Sequence, residues 1–321
     1  MAGSTAHIVQ SLVANLAIAA AKGVAAVWTG SGAMMAEAIH SASDCVNQVL
    51  LLVGVKQSQR PPDAKHPFGY GRAAYFWSFM VALLLFTGGG VFSIYEGAHK
   101  LGHPELITNV PLGLGILGFS LALEGWATWS NIKELKRRAK GTPFFRFLRE
   151  TKDSDMVVLF GENSAATLGL IVAMIALLAA WTTGDSRYDA AGGIAIGVVL
   201  IGVAVFLSQE VKSLLVGEAA DLEITRAAER IAVEHPRVKR LVKVLTMQQG
   251  PGEVIVACKI ELEPTMSVAE VYATVAEFEC SLRASCPEVR WCFTEAGDRK
   301  DSEREAASGD TQGPVASAAQ S

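Results

Sequence analysis

The chain has 321 residues, of which half are hydrophobic and 19% charged, with a formal net charge of −4 and a mean hydropathy of +0.31. That is too apolar for a water-soluble protein of this length, and no basic tract with interleaved aromatics argues for a nucleic-acid partner. The five cysteines, an odd number without a Cys-x-x-Cys pair, argue against a disulfide framework.

The apolar excess lies before Ser208. A bilayer core of roughly 30 Å takes about 20 apolar residues of helix. Six stretches qualify, at 8–28, 33–55, 75–98, 108–131, 156–182 and 188–208. The first lacks a charged leading segment and a small-residue cleavage site, so it reads as a retained span. Breakers and charges separate the six: Thr29-Gly30-Ser31-Gly32, Arg60-Pro61-Pro62-Asp63, Gly102-His103-Pro104, the basic segment 133–152 and Thr183-Gly184-Asp185. Lys and Arg concentrate after spans two and four, which puts those loops and both termini in the cytoplasm. With no transit segment rich in Arg and Ser, a bacterial cytoplasmic membrane is the expected setting.

Beyond span six the sequence predicts helix Leu222–Glu234, strand Val238–Gln248, a turn at Gly250-Pro251-Gly252 and strand Val254–Leu262. A helix capped by Ser267 with Glu270 follows, then a strand Val289–Glu295. This α-β-β-α-β order predicts a small open sheet with helices on one face. The expected organisation is a membrane domain over 1–208, a cytoplasmic α+β domain over 209–297, which dimerises, and a disordered tail over 298–321.

Ionisable groups at membrane depth mark polar pathways. In span two, Glu37, His40, Asp44 and Asn47 are spaced three, four and three residues apart and share a helix face. His40 and Asp44, four apart, can reach one cation, and imidazole with carboxylate suits zinc and other first-row divalent ions. The remaining ligands must come from another span. Glu162 and Asn163 in span five match Asp44 in depth, with Glu162 the better charged. A competing reading pairs Glu162 with Lys22. Asn15, Lys22 and Glu124 are further intramembrane polar groups. In the loop after span two, Asp63 and His66 can either bind a metal or close a rigid turn.

The segment His66-Pro67-Phe68-Gly69-Tyr70-Gly71-Arg72, preceded by Ala36-Glu37-Ala38-Ile39-His40-Ser41-Ala42-Ser43-Asp44, resembles the cation diffusion facilitator family over about residues 8–297. The resemblance implies six transmembrane helices with a cytoplasmic domain of ferredoxin or metallochaperone type. It implies a homodimer that exchanges Zn²⁺, as substrate, for protons by alternating access, with no organic cofactor and no catalytic group. Its span-two ligands fall on His40 and Asp44. The family's span-five His-x-x-x-Asp falls on Leu159 and Asn163, and in the branch whose motif ends Glu-Asp the aligned pair is Glu162-Asn163. The loop site falls on Asp63, His66 and Tyr70. The soluble part has one histidine, His235, which argues against a binuclear zinc site there. Cys258, Cys280, Cys286 and Cys292 leave a thiolate site open, although small buried hydrophobes suit most of them. The alternatives are a metal-binding regulator that does not transport, or a carrier of a harder ion such as Mn²⁺ or Fe²⁺.

Overall fold

Backbone amides cannot stay unpaired in lipid, so an apolar stretch must become a helix. In the computed structural model, which describes residues 2–103, 107–139, 141–151 and 154–298, each of the six stretches does so. Span one is α1 (Ala2–Thr29) and span two is α2 (Gly32–Ser58). Span three is α3 (Ala73–Leu84), a π-helical turn (Leu85–Val91) and α4 (Phe92–Gly102). Span four is α5 (Val110–Arg138), span five is α7 (Ser154–Thr183) and span six is α8 (Arg187–Val216). Among the described residues, five of these helices are long and apolar enough to cross a membrane, and Leu16–Thr29 is a shorter apolar helix. Asn15's side chain and the tail beyond Asp298 lie outside the described residues.

Two features were not anticipated. The basic segment after span four is largely helical. Glu134 accepts from Arg137 and Arg138 at 2.8 and 3.0 Å, and these pairs one turn apart support α5 to its end. A short helix, α6 (Phe144–Glu150), then precedes span five. In span three, Gly88-Gly89-Gly90 lies inside the π turn. Glycine is a poor helix former, and here it permits close backbone approach. A Cβ on Gly197 would stand 2.7 Å from the Gly90 carbonyl oxygen, and one on Gly97 would stand 2.7 Å from that of Ala190. Small residues at helix interfaces in membranes allow such contact, where packing drives association.

Asp189 on α8 sets the start of α2. It accepts from the Ser31 hydroxyl at 2.6 Å and the Gly32 amide at 2.5 Å, while Ser31 Oγ accepts from the Met34 amide at 3.1 Å. Orphan amides at a helix start are thus satisfied by a capping residue and a carboxylate from another helix.

A second compact unit begins at Gly217. It contains α9 (Leu222–Glu234), β1 (Val238–Gly250), β2 (Glu253–Leu262), α10 (Val268–Ser285) and β3 (Val289–Ala296), in the α-β-β-α-β order expected. The sheet order is β1-β2-β3, with β1 and β2 antiparallel and β2 and β3 parallel. The capping box at Ser267 and Glu270 forms in both directions. Alternate residues of β2 (Val254, Val256, Cys258, Ile260) face a core completed by Ile224, Ala228, Phe278 and Leu282.

The tight glycine contact leads to a stability test. Gly197→Val is expected to lower the thermal midpoint in detergent, at a cost of about 1–3 kcal/mol from overpacking. Gly115→Ala, whose Cβ meets nothing within 4 Å, should leave the midpoint unchanged.

Candidate metal-transport site

Glu37, His40, Asp44 and Asn47 of α2 all turn inward. Glu37, His40 and Asn47 have no exposure to solvent, and the Asp44 side chain retains 22%. They divide between separate neighbourhoods, which the helical spacing alone does not distinguish. Nearest the start of α2 lies Lys22 of α1, also fully buried. Its ammonium donates to Ser41 Oγ and Glu124 Oε1, both at 2.8 Å, and to Glu37 Oε2 at 3.4 Å. Three donors thus meet three acceptors. This corrects the alternative that Lys22 pairs with Glu162. Glu37 can lie there because its Oε1 rests against Gly169 of α7, where a Cβ would collide with it.

Farther along α2, Asn47 Nδ2 donates to Glu162 Oε1 at 2.6 Å. That contact joins spans two and five and fixes the depth of Glu162. Asn163, one residue on, belongs to a different interface. Its backbone carbonyl accepts from Thr128 Oγ1 of α5 at 2.9 Å.

Between these neighbourhoods stand His40 and Asp44. The imidazole Nδ1 is 3.5 Å from Asp44 Oδ1. Neither ring nitrogen of His40 has a hydrogen-bond partner, nor do Asp44 Oδ1, Asn47 Oδ1 or Glu37 Oε1. Buried polar atoms normally find partners, so this row of orphaned nitrogen and oxygen atoms has the chemistry of a place where a cation or water completes the coordination. Asp44 and Glu162 lie within electrostatic reach of one another, and two carboxylates in a medium of low dielectric repel unless a cation stands between them. No group of three or more His, Cys, Asp or Glu side chains is gathered in metal-holding range among the described residues. The structure therefore brings His40 to Asp44 and Glu162 to Asn47, and does not close a tetrahedral set.

Residues 8–216 match the cation efflux transmembrane domain. The chain belongs to the cation diffusion facilitator family. It is 31% identical over 264 residues to a human protein named proton-coupled zinc antiporter SLC30A9, mitochondrial, covering 82% of this chain and 46% of that one. It is 34% identical over 197 residues to metal tolerance protein C4 of Arabidopsis thaliana, covering 60% of this chain and 43% of that one. Magnetosome protein MamB of Magnetospira sp. (strain QH-2) is 24% identical over 221 residues, covering 68% and 69%. The chain spans about half the length of the first two relatives.

In this chain the loop after span two forms a closed turn. Asp63 Oδ1 accepts from the Lys65 and His66 amides at 2.9 and 2.7 Å, and Oδ2 accepts from the Tyr70 hydroxyl at 2.6 Å. The His66 ring stacks at a tilt on Tyr70, with centroids 4.1 Å apart, and its Nδ1 is 3.4 Å from Asp63. The Tyr70 hydroxyl bond, and then the amide bonds, hold the Asp63 carboxyl down to about 2. Of the four cysteines in the unit from Gly217 onward, Cys258 and Cys292 are buried. The hydrogen bond to Cys292, and burial, push the Cys258 thiol up, while Cys280 is exposed.

Two residues that matter to the site were missed or misassigned from the sequence. Asp189 sits in the first turn of α8 and gives no local sign that it caps α2. Lys22 was visible, but its choice among carboxylates was not.

Two tests follow from this geometry. Lys22→Met leaves two buried carboxylates facing one another, so a loss of about 3–5 kcal/mol is expected, partly recovered when Glu124→Gln is added; equal midpoints for the single and double variants would contradict the network. For the loop, the folded carboxyl of Asp63 titrates at about 2 against an ordinary 3.8. A lowered value means that its contribution to turn stability is complete above pH 3.8 and disappears as the pH falls through 2. Tyr70→Phe should move the Asp63 midpoint back toward the ordinary value in an NMR titration.

Proposed function

We propose that this chain moves divalent metal ions, zinc foremost, out of the cytoplasm in exchange for protons. The observation that carries the reading is the buried His40–Asp44 pair, with both ring nitrogens and a carboxylate oxygen lacking a hydrogen bond, beside the Asn47–Glu162 contact of span five. A metal takes a neutral imidazole and ionised carboxylates, so its entry releases protons and their return expels it. The human relative is a proton-coupled zinc antiporter by name and the plant relative a metal tolerance protein, which supports this reading.

In this proposal His40, Asp44 and Glu162 hold the ion. Asn163 contributes less, since its backbone is engaged with α5. Glu37 and Glu124 keep Lys22 in place, and Asn47 orients Glu162. Asn15 keeps its assignment as a supporting polar group. Asp63 and His66 serve the turn, since both Asp63 oxygens are already engaged. The basic loops and both termini occupy the positive-inside face, which in a bacterial cytoplasmic membrane is the cytoplasm. Alternating access between spans two and five moves the ion, and the unit from Gly217 onward joins two copies as a homodimer.

One observation favours a harder ion. Asn47 and Glu162 offer only oxygen as acceptor, and Asn47 Oδ1 is unpaired; such a set suits Mn²⁺ or Fe²⁺ better than a thiolate or imidazole cage does.

In proteoliposomes holding the full chain, an imposed pH gradient is expected to drive saturable metal uptake. His40→Ala or Asp44→Ala should reduce it to the level of empty vesicles without loss of folded protein. Binding without flux in the wild type would instead make the chain a regulator. By isothermal titration, Glu162→Gln should weaken binding by at least about tenfold, and Asn163→Ala by less. Running Zn²⁺, Mn²⁺ and Fe²⁺ in parallel ranks the substrates.

A further inference from the structure

A cavity of about 630 Å³ opens on the outside of the helical bundle where α6 meets α7 and α8. Its size falls within the roughly 300–1,000 Å³ range of small-molecule sites. Phe160, Gly161 and Ser164 of α7 form one wall, and Gly202, Val203 and Phe206 of α8 form the other. The depth comes from a missing side chain. A Cβ on Gly202 would meet nothing within 4 Å, so glycine there leaves the space open.

The rim has a different character. Residues of α6 close one end of the cavity, and among them are the exposed Arg146 and Arg149. The helix is held in place by Leu148, which is 1% exposed, and by Phe144, whose ring meets Phe160 edge-on at 5.3 Å. A slot along two membrane-spanning helices is therefore mostly apolar, with Ser164 in one wall, and carries two guanidinium groups at one end.

We infer that this groove binds one anionic phospholipid, with an acyl chain between α7 and α8 and the phosphate on Arg146 and Arg149. Charge and polarity both point to that occupant. The apolar walls lie within stretches apolar enough to cross a membrane, so what fills them must be hydrocarbon-like. Guanidinium matches phosphate in geometry as well as charge, and basic pockets beside transmembrane helices select anionic headgroups. The occupant would brace the segment of α7 that carries Glu162, because Gly161 and Ser164 flank it in sequence. This inference stands apart from the transport proposal, since lipid binding does not require metal.

The test uses the full chain in detergent and native mass spectrometry, with phosphatidylglycerol and phosphatidylcholine of identical acyl chains. The wild type should retain one phosphatidylglycerol per chain under activation that strips phosphatidylcholine. Arg146→Gln and Arg149→Gln should each weaken retention of phosphatidylglycerol by about fivefold. Gly202→Phe, which fills open space, should reduce retention of both lipids without lowering the thermal midpoint. Equal retention of the two lipids by the wild type, or retention unchanged by Gly202→Phe, overturns the inference. So does displacement of the lipid by free glycerol phosphate, which would mean a headgroup site alone. Self-association abolished by Gly202→Phe would assign the groove to a second copy and overturn it as well.

Discussion

Lys22 is an ammonium group buried at membrane depth, and the polar interior of the bundle is built around the need to neutralise it. An unpaired charge there is among the costliest features a membrane protein can carry. The cost is met by two carboxylates and a hydroxyl drawn from α2 and α5. Because those partners sit on different helices, the contact fixes the rotation of α1, α2 and α5 together. A few degrees of turn in any one would strand a charge. The face of α2 that begins at Glu37 is thereby aimed into the bundle, and His40 and Asp44 follow it by helical geometry.

The same face is pinned at other points by different means. Asp189 holds the first turn of α2 against α8. Asn47 ties its middle to Glu162 of α7. Near its end, Trp77 Nε1 donates to Gln57 Oε1 at 2.8 Å, and Trp77 packs over Gly54, where a Cβ would come within 2.9 Å. Polar contacts of this kind are individually modest in a membrane, but each specifies one register. The outcome is a polar stripe whose central members, His40 and Asp44, contact one another at 3.5 Å between anchored ends.

Periodicity made the helices legible. Apolar runs of sufficient length gave the spans, and the 3-4-3 spacing in α2 gave the face. The Ser267–Glu270 box and the alternation in β2 gave the soluble elements. What periodicity does not carry is the identity of the neighbour across an interface. Lys22 had Glu37, Glu124 and Glu162 at comparable depth, and only the packed arrangement selects the first two. Asp189 at the start of span six follows Arg187 by two residues, and nothing along its own helix shows that its carboxylate caps α2. The π turn at Gly88-Gly90 and the short α6 were missed for opposite reasons. Glycine contact depends on what lies opposite, while the basic residues of α6 concealed an apolar side made by Phe144 and Leu148.

Charge balance links the fixed network to the proposed exchange. Glu37, Asp44, Glu124 and Glu162 are four carboxylates in mutual electrostatic reach through their neighbours, and Lys22 is the one ammonium among them. Lys22 makes its ion pairs with Glu37 and Glu124, and its single charge falls short of the four carboxylates around it. In the proposed exchange, the remaining negative charge is met by ions that enter and leave. A divalent cation supplies two charges at once, and two protons supply the same. On this view the coupling of metal to protons needs no separate device. In the proposed exchange it rests on carboxylates whose charge exceeds what Lys22 alone can balance.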